Sequence, residues 1–558
     1  MKLVECVPNF SEGRDKNKIQ AIAREIETTR GVKLLDVDPG ESTNRTVVTM
    51  IGAPADVAEA AFKAIRKAAE VIDMRVQKGA HSRIGATDVC PFVPVSGVSM
   101  EECVELARAL GRRVAAELGI PVYFYEEAAT RDERRNLAAI RAGEYEGLAE
   151  KLKDPAWAPD CGEAVFNPGA GATVIGAREF LIAYNINLNT RDRKLAGEIA
   201  LAIRESGRAK RDAEGNIVRD ASGATVKLPG RFPHVKAVGW YIEDYGIAQI
   251  SINFTNYKIT PVHVVFDEVR IQAAALGLRV TGSELVGLIP KDALLGSGRY
   301  YLEKQGKSPG VPEAELIRTA AISLGLGDVV PFDPKKKIIE YQFDAEKAPL
   351  AAMSLRAFAD ELSMDSPAPG GGSVSALCGA LSASLSAMVA NLTVGKKGYE
   401  KGYDALKDVA LRGQALKDDL LRAVDLDTAA FNRVMEASRL PKSSPEQQAD
   451  RDAAVEDATK EATLVPYGVL EKCVELLRLA GLAAELGNRN SVSDAGVAAL
   501  AARAAADGAF YNVRINLPGL KDEAFKKRIR ESAGELRAEA SRRAAGIQIL
   551  VESGLEKE

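Results

Sequence analysis

Strand and helix signals alternate along this 558-residue chain up to about residue 343, and beyond about Met353 almost every signal is helical. That switch of periodicity limits the fold more than any single motif, because strands repeat every two residues and helices every 3.6. LVECVP reads as a strand, followed by an amphipathic helix from about Lys16 to Thr29 and the strands VKLLDVD and TVVTMIG. A helix from Pro54 to Met74, strand DVCPFVPV, a helix from Met100 to Leu118 and strand PVYFYE complete the run. Its first six elements follow the β-α-β-β-α-β order of a ferredoxin-like unit, with one more helix and strand after them. The order then recurs in FLIAYNINL, a helix over Asp192–Ser206, KAVGWYIED, AQISINFTN, a helix capped by Thr260 with Pro261 at its first position, and LRVTGSELVGL. RDAEGNIVRDASGATVKLPG, inside the second run, reads as an inserted hairpin. The expected architecture is therefore multidomain: two ferredoxin-like α/β subdomains followed by an all-α helical domain. Its boundaries are 1–180, 181–343, a linker at 344–352, and 353–558.

The second subdomain has an unusual face. In AYNINLNT, Tyr184, Ile186 and Leu188 alternate with Asn185, Asn187 and Asn189, and in ISINFT, Ile250, Ile252 and Phe254 alternate with Ser251, Asn253 and Thr255. Helices are expected on the apolar side. The amide side either meets water or faces the first subdomain across a polar ligand cleft.

Composition excludes several classes. The net charge is −4 with no basic block, so nucleic acid is not an expected partner. Cys6, Cys90, Cys103, Cys161, Cys378 and Cys473 form no CxxC pair, which fits reduced thiols in a cytoplasmic protein. The N-terminus turns polar within ten residues, unlike a signal peptide. Ser373–Val394 is uncharged and nearly bilayer-length, but its serines suit a tightly packed buried helix better than a membrane span.

Four stretches carry chemistry. In QKGAHSRIGATDVCPFVPV, His81 stands between glycine turns beside Arg83; imidazole can take and return a proton near neutral pH, and Arg83 offers a cation for a carboxylate. His234 and His263 read as structural, and three scattered histidines predict no metal site. In LLDVDPGESTNRTV, Asp36 or Asp38 could orient the His81 ring, and Asn44 and Arg45 follow in a turn. In SPAPGGGSVSAL, Gly370, Gly371, Gly372 and Ser373 open a helix whose N-terminus suits an anion, although no P-loop lysine follows. In VDLDTAAFNRVMEA, Asp425 and Asp427 are expected at the start of a helix, with Asp427 on a face shared with Phe431 and Val434.

Taken together these stretches resemble the formiminotransferase-cyclodeaminase family over essentially the whole chain. VECVPNFSEGRD, GAHSRIGATDVCPF, IRAGEYEGL, WAPD, GWYIED and ELVGLIP resemble its transferase half, and SLRAF, APGGGSV, VDLDTAAF, RLPK, SDAGVAALA and FYNVRINL its cyclodeaminase half. The resemblance implies transfer of a formimino group from N-formimino-L-glutamate to N5 of tetrahydrofolate, then closure to 5,10-methenyltetrahydrofolate with loss of ammonia. It implies His81 as the transferase catalytic histidine and Asp427 as the cyclodeaminase aspartate. It also implies a folate-binding segment at Gly162, Glu163, Ala164, Val165, Phe166, Asn167, Pro168, Gly169, Ala170 and Gly171. Asp38, Asn44, Arg45, Arg83 and Gly370–Ser373 are further candidate substrate contacts, and Lys396 and Lys397 stand where a polyglutamate tail could be steered. Tetrahydrofolate, expected as the polyglutamate, is then a co-substrate without a metal. The protein is expected to be a cytoplasmic homo-oligomer, a ring-like octamer being one form. Ala80 and Ser82 depart from the acid and proline usual around the family's histidine, and the inserted hairpin near Arg211–Leu228 is longer than in the animal enzymes. The rivals are a single-activity folate enzyme whose other domain serves assembly, and a folate-binding protein without turnover.

Overall fold

Pro8 has no N–H to give a strand ladder, and the first apolar stretch accordingly forms two short strands, β1 (Leu3–Cys6) and β2 (Asn9–Phe10). In this computed structural model the described residues are 2–41, 44–79, 82–220, 223–243, 245–343 and 349–556. Helix α1 (Lys16–Glu27), capped by the Asp15 side chain, leads to strands β3 (Val32–Gly40) and β4 (Arg45–Gly52). Helix α2 (Pro54–Val71) has its proline at the first position. Strand β5 (Thr87–Ser96) and helix α3 (Met100–Leu118) follow; Ser99 and Glu102 form a capping box, and Gly119 closes the helix in the left-handed conformation. Then come β6 (Val122–Glu126), α4 (Leu137–Arg141), α5 (Glu144–Lys151) and β7 (Thr173–Ala177).

The first sheet runs β3-β4, then β1 and β2 together, then β5-β7-β6, antiparallel except where β7 pairs parallel with β5 and β6. Val4, Cys6, Met50, Phe92, Phe124 and Ile175 lie in one apolar cluster with residues of α1, α2 and α3. A separate cluster joins Tyr123, Tyr125 and Val174 to Ile140 and Leu148 of α4 and α5. β7 is absent from the sequence reading: buried on both sides, TVIGA shows no alternation to mark it as a strand.

The second sheet comprises β8 (Ile182–Leu188), β11 (Val235–Ile242), β12 (Ile247–Phe254) and β13 (Val280–Val286) in the antiparallel order β11-β12-β8-β13. Helices α6 (Arg193–Ile203) and α7 (Val262–Ala275) provide its crossovers. Between α6 and β11 the expected hairpin is present as β9 (Arg208–Ala209) paired with β10 (Lys227–Leu228). The start of α7 needs correcting by one residue: Pro261 is the N-cap, and the Thr260 hydroxyl donates to the Pro233 carbonyl (2.7 Å) instead of capping.

Tyr184, Ile186, Leu188, Ile250, Ile252 and Phe254 are buried. On the opposite face Asn187 and Gln249 are fully buried as well. Gln249 Nε2 donates to Asn187 Oδ1 (2.7 Å), Asn187 Nδ2 to Asp328 Oδ2 (2.9 Å), and Tyr245 to Glu284 Oε1 (3.2 Å). The centre of the amide side, at Asn185, Asn187 and Gln249, is therefore packed as an internal polar network, because buried amides need partners, whereas Asn189 and Asn253 are exposed. The segment that supplies Asp328 also bridges β13 at Ser283 through Leu326.

Helices α8 (Lys291–Lys304), α9 (Glu313–Ser323), α10 (Pro334–Lys337) and α11 (Ile339–Phe343) complete the first 343 residues. The chain divides into two compact units: Met1–Leu294 with Leu324–Ala345, and Leu295–Ser323 with Glu346–Glu558. Within the second, α12 (Leu355–Leu362) precedes five long helices: α13 (Gly371–Thr393), α14 (Tyr403–Ser438), α15 (Pro445–Leu486), α16 (Val492–Asn516) and α17 (Glu523–Leu555). α13 is long and apolar enough to cross a bilayer, yet its small residues are buried among the other helices. Gly379 lies against Leu420 and Leu476, and Gly413 of α14 against Ala387, so small side chains permit close helix packing.

Candidate active sites

Asp427 is placed by two helices of the second unit. It lies deep within the 36-residue α14, not at its start as the sequence suggests, so the dipole of its own helix gives the carboxylate no support. The N-terminus of α13 meets it instead. Gly370 caps that helix without a side-chain bond, and a Cβ on Gly372 would overlap the Asp427 carboxylate. Glycine here is a requirement of close approach. Ser373 Oγ, fully buried, lies 3.1 Å from Asp427 Oδ2 and 2.9 Å from the Val424 carbonyl, so its one proton serves two acceptors. Burial raises the Asp427 pKa above the ordinary carboxyl range, and the hydrogen bonds from Ser373 oppose that rise. Asp425 has a different task. Its carboxylate accepts from the backbone N–H groups of Leu350 (2.9 Å) and Ala351 (3.2 Å), anchoring the segment ahead of α12.

Gly370–Ser373 and Asp427 thus converge as a group, whereas Lys396 and Lys397 do not join them. Both lysines are exposed just past the C-terminus of α13, the far end of a helix roughly 35 Å long.

In the first unit, His81 and Ala80 lie outside the described residues. The residues that follow are held tightly. Arg83 is buried, its Nη1 and Nη2 each 2.8 Å from Glu146 carboxylate oxygens, with Nη1 also 3.0 Å from Glu144 and Nε 2.8 Å from Gln77 Oε1. Its expected role as a free cation for substrate therefore needs correcting, since internal carboxylates occupy the guanidinium. Asn44 also serves as a clip. In the left-handed conformation (φ 48°), its Oδ1 accepts from Gly13 N–H (2.9 Å) and its Nδ2 donates to the Lys78 carbonyl (2.8 Å). Arg45 donates to Asn9 Oδ1, and burial lowers its pKa to about 10. Asp38 is exposed on β3 opposite Val47.

The segment 162–171 closes on the same region. Ala172 N–H donates to the Ile84 carbonyl (3.0 Å) and Ala86 N–H to the Ala170 carbonyl (2.8 Å), with Gly85 and Gly171 forming the bridge between them. A Cβ on either glycine would overlap the other strand's backbone. Asn167 Oδ1 accepts from Ala170 N–H (3.0 Å), and Tyr145 donates to the Pro168 carbonyl (2.7 Å) while its ring sits 5.5 Å from Phe166. The structure therefore joins the expected folate segment to the backbone that follows His81.

Sequence reasoning missed Glu5. This carboxyl is 4% exposed on β1, and burial raises its pKa to about 7, with Arg178 pulling it down and Glu340 pushing it up. The available signal was a lone acid inside an apolar strand. His263 is buried with its pKa lowered to about 4, and the His234 backbone N–H donates to Glu205 Oε2 (3.0 Å). Among the described residues no group of histidine, cysteine, aspartate or glutamate could hold a metal ion.

Three family models match consecutive stretches of the chain. Residues 3–178 match the formiminotransferase domain, N-terminal subdomain; 183–344 match the formiminotransferase domain; and 354–535 match formiminotransferase-cyclodeaminase. The formimidoyltransferase-cyclodeaminase of Rattus norvegicus is 44% identical over 98% of this chain and 98% of its own. Two shorter relatives each match one half. The glutamate formimidoyltransferase of Thermoplasma acidophilum is 44% identical over 56% of this chain and 95% of its own length. The methenyltetrahydrofolate cyclohydrolase of Methylorubrum extorquens is 43% identical over 33% of this chain and 88% of its own. With three consecutive domain matches and full-length identity to the animal enzymes, the chain belongs to the formiminotransferase-cyclodeaminase family.

Proposed function

We propose that this protein is a bifunctional folate enzyme: it moves the formimino group of N-formimino-L-glutamate to N5 of tetrahydrofolate, then cyclises the product to 5,10-methenyltetrahydrofolate. The observation that carries the reading is the second site, where a half-buried carboxyl is seated against a glycine-cleared helix N-terminus, within a chain related to both activities along its whole length.

In the transfer step N5 attacks the formimino carbon, and the bond from that carbon to the glutamate nitrogen then breaks. His81 takes the N5 proton and returns it to the departing amine. In the closure step N10 attacks the same carbon and ammonia leaves. Asp427, whose pKa burial raises, donates to the leaving nitrogen in its acid form, and its carboxylate takes the N10 proton. The N-terminus of α13 stabilises that carboxylate while it is charged.

The domain limits 1–180, 181–343 and 353–558 and a ferredoxin-like fold for the first two belong to this reading, supported by the strand order β11-β12-β8-β13 and its counterpart in the first sheet. So do the folate contacts at 162–171, polyglutamylated tetrahydrofolate as co-substrate without a metal, and a cytoplasmic location. Exposed apolar side chains on the long helices, among them Leu392, Leu500 and Ile515, support a homo-oligomer. The half-length relatives favour a second reading, in which one domain is active and the other serves assembly.

One experiment separates the two. Purified protein is given N-formimino-L-glutamate and tetrahydrofolate, with methenyl-folate followed by near-UV absorbance and ammonia by a coupled assay. Both products are expected, neither is expected from His81→Ala or Asp427→Ala alone, and mixing the two variants restores them. Glutamate release without methenyl-folate would leave the transferase alone active; no glutamate release would remove His81 from its role.

A further inference from the structure

Helix α16 comes close against the start of α13 because a small residue clears the way. A Cβ on Gly508 would overlap Ser375 Oγ, and that hydroxyl donates to the Gly371 carbonyl (2.7 Å) in the first turn of α13. One turn further along α16, on the same face, stands Asn512. Its amide lies over Gly371, where a Cβ would sit 3.2 Å from Nδ2 and 3.7 Å from Oδ1. The next residue of α13, Gly372, lies in the same way under the Asp427 carboxylate from α14. Consecutive Cα atoms are about 3.8 Å apart, so an amide and a carboxyl from two helices meet over one step of a third.

The amide has a fixed sense. Asn512 Nδ2 donates to the Gly508 carbonyl (2.8 Å), which sets Oδ1 at the other end of the group. Among the described residues nothing donates to Oδ1. A hydrogen-bond acceptor is thus held on a helix, half-buried, beside the carboxyl that handles protons, and without an internal partner.

Ring closure needs an acceptor there. N10 adds to the carbon of the formimino amidinium ion, the C=N π pair moves onto the formimino nitrogen, and N10 gives its proton to the Asp427 carboxylate. The nitrogen is then an amine with two N–H bonds and a lone pair. Asp427 returns the proton to that lone pair, and the carbon–nitrogen bond breaks. Ammonia leaves with the bonding pair, and the N5 lone pair restores the cation as methenyl-folate. An N–H aimed at a fixed acceptor turns the lone pair toward the proton donor. An amide suits this place better than a second carboxylate, because it does not ionise near neutral pH and does not compete for the proton. We propose that Asn512 holds the departing nitrogen through Oδ1, with Asp427 on its other side. The proposal rests on the closure half of the function above.

The test uses the full chain with Asn512→Ala and with Asn512→Leu, which keeps the branched shape but has no acceptor. 5-Formiminotetrahydrofolate is supplied directly and methenyl-folate followed by near-UV absorbance. 5-Formyltetrahydrofolate, in which an oxygen without a proton replaces the departing nitrogen, is measured as an inhibitor of the same step. Formimino transfer and melting in the same samples report folding. Both variants are expected to lower kcat/KM for closure about ten- to a hundred-fold, as for loss of a charge-assisted contact, while the inhibition constant of the formyl compound stays within about two-fold. A residue that merely supports packing would move both. The proposal is overturned if kcat/KM stays within about two-fold of wild type, or if it falls in step with inhibition by the formyl compound. If the wild-type protein closes nothing, calorimetric titration with both folates decides. A preference for the formimino compound that Asn512→Leu removes leaves the contact standing and the closure reading failed; no such effect overturns the contact as well.

Discussion

A carboxyl group is useful for moving protons only when its surroundings hold its pKa away from the value it has in water. Asp427 meets that condition through burial, with Ser373 as the counterweight. Asp427→Asn should reduce methenyl-folate formation by at least about a thousand-fold, on the scale of losing a general acid–base group plus its charge, with formimino transfer unchanged in the same sample. Gly372→Ala should cost the same step about a hundred-fold or more by displacing the carboxylate. Ser373→Ala removes a bond that favours the charged form. The pKa then rises, and the limb on which cyclodeaminase activity falls with increasing pH should move to higher pH; a limb that stays in place or moves down would contradict this arrangement. Glu5 gives a stability prediction. Its folded pKa of about 7 lies above its unfolded value near 4.5, so the folded state holds the proton more tightly and stability falls as pH rises from about 4.5 to 7. Glu5→Gln should therefore raise the melting temperature at pH 8 relative to wild type, by up to about 3 kcal/mol of stability, and much less at pH 4.5.

At the scale of elements, two glycines decide where the folate segment touches its neighbour. Gly85 and Gly171 let the segment 162–171 lie against the strand that follows His81, and alanine at either should pry the two apart. The expected outcome for Gly85→Ala is a KM for tetrahydrofolate raised about ten-fold or more, with cyclodeaminase activity on added 5-formiminotetrahydrofolate unchanged. Asp425 gives the complementary control. It sits two residues from Asp427 but holds the backbone at Leu350 and Ala351, so Asp425→Ala should lower stability by about 1–3 kcal/mol in denaturant melts and leave kcat within a few-fold. Neighbouring acids on one helix thus separate by the direction in which the helix points them, which a motif does not reveal.

On the scale of the whole molecule, the segment 295–323 packs with the helical unit although it precedes the linker in sequence. The Gly310 carbonyl accepts from Asn391 Nδ2 (2.7 Å) and Gln414 Nε2 (3.3 Å), and a Cβ on Gly310 would overlap Ala410. Gly310→Val should accordingly lower the melting of the helical unit, seen as an earlier transition by calorimetry. Local pattern by itself determined most of the elements: α3 starts and ends where its capping box and closing glycine place it, the repeated β-α-β-β-α-β order follows from alternation, and His81, Asp427 and the 162–171 segment stood out by residue type and resemblance. Tertiary structure decided what depends on partners far apart in sequence. β7 needed β5 and β6 beside it before an unalternating apolar run could become a strand. Arg83 and Asn44 proved to be fasteners because their partners are 61 to 63 and 31 to 34 residues away. The helix start that meets Asp427 belongs to α13, some fifty residues earlier, and no local spacing records that contact. Sequence carries the period and chemistry of each element; a polar side chain's role is set by which distant group satisfies it, and only packing fixes that.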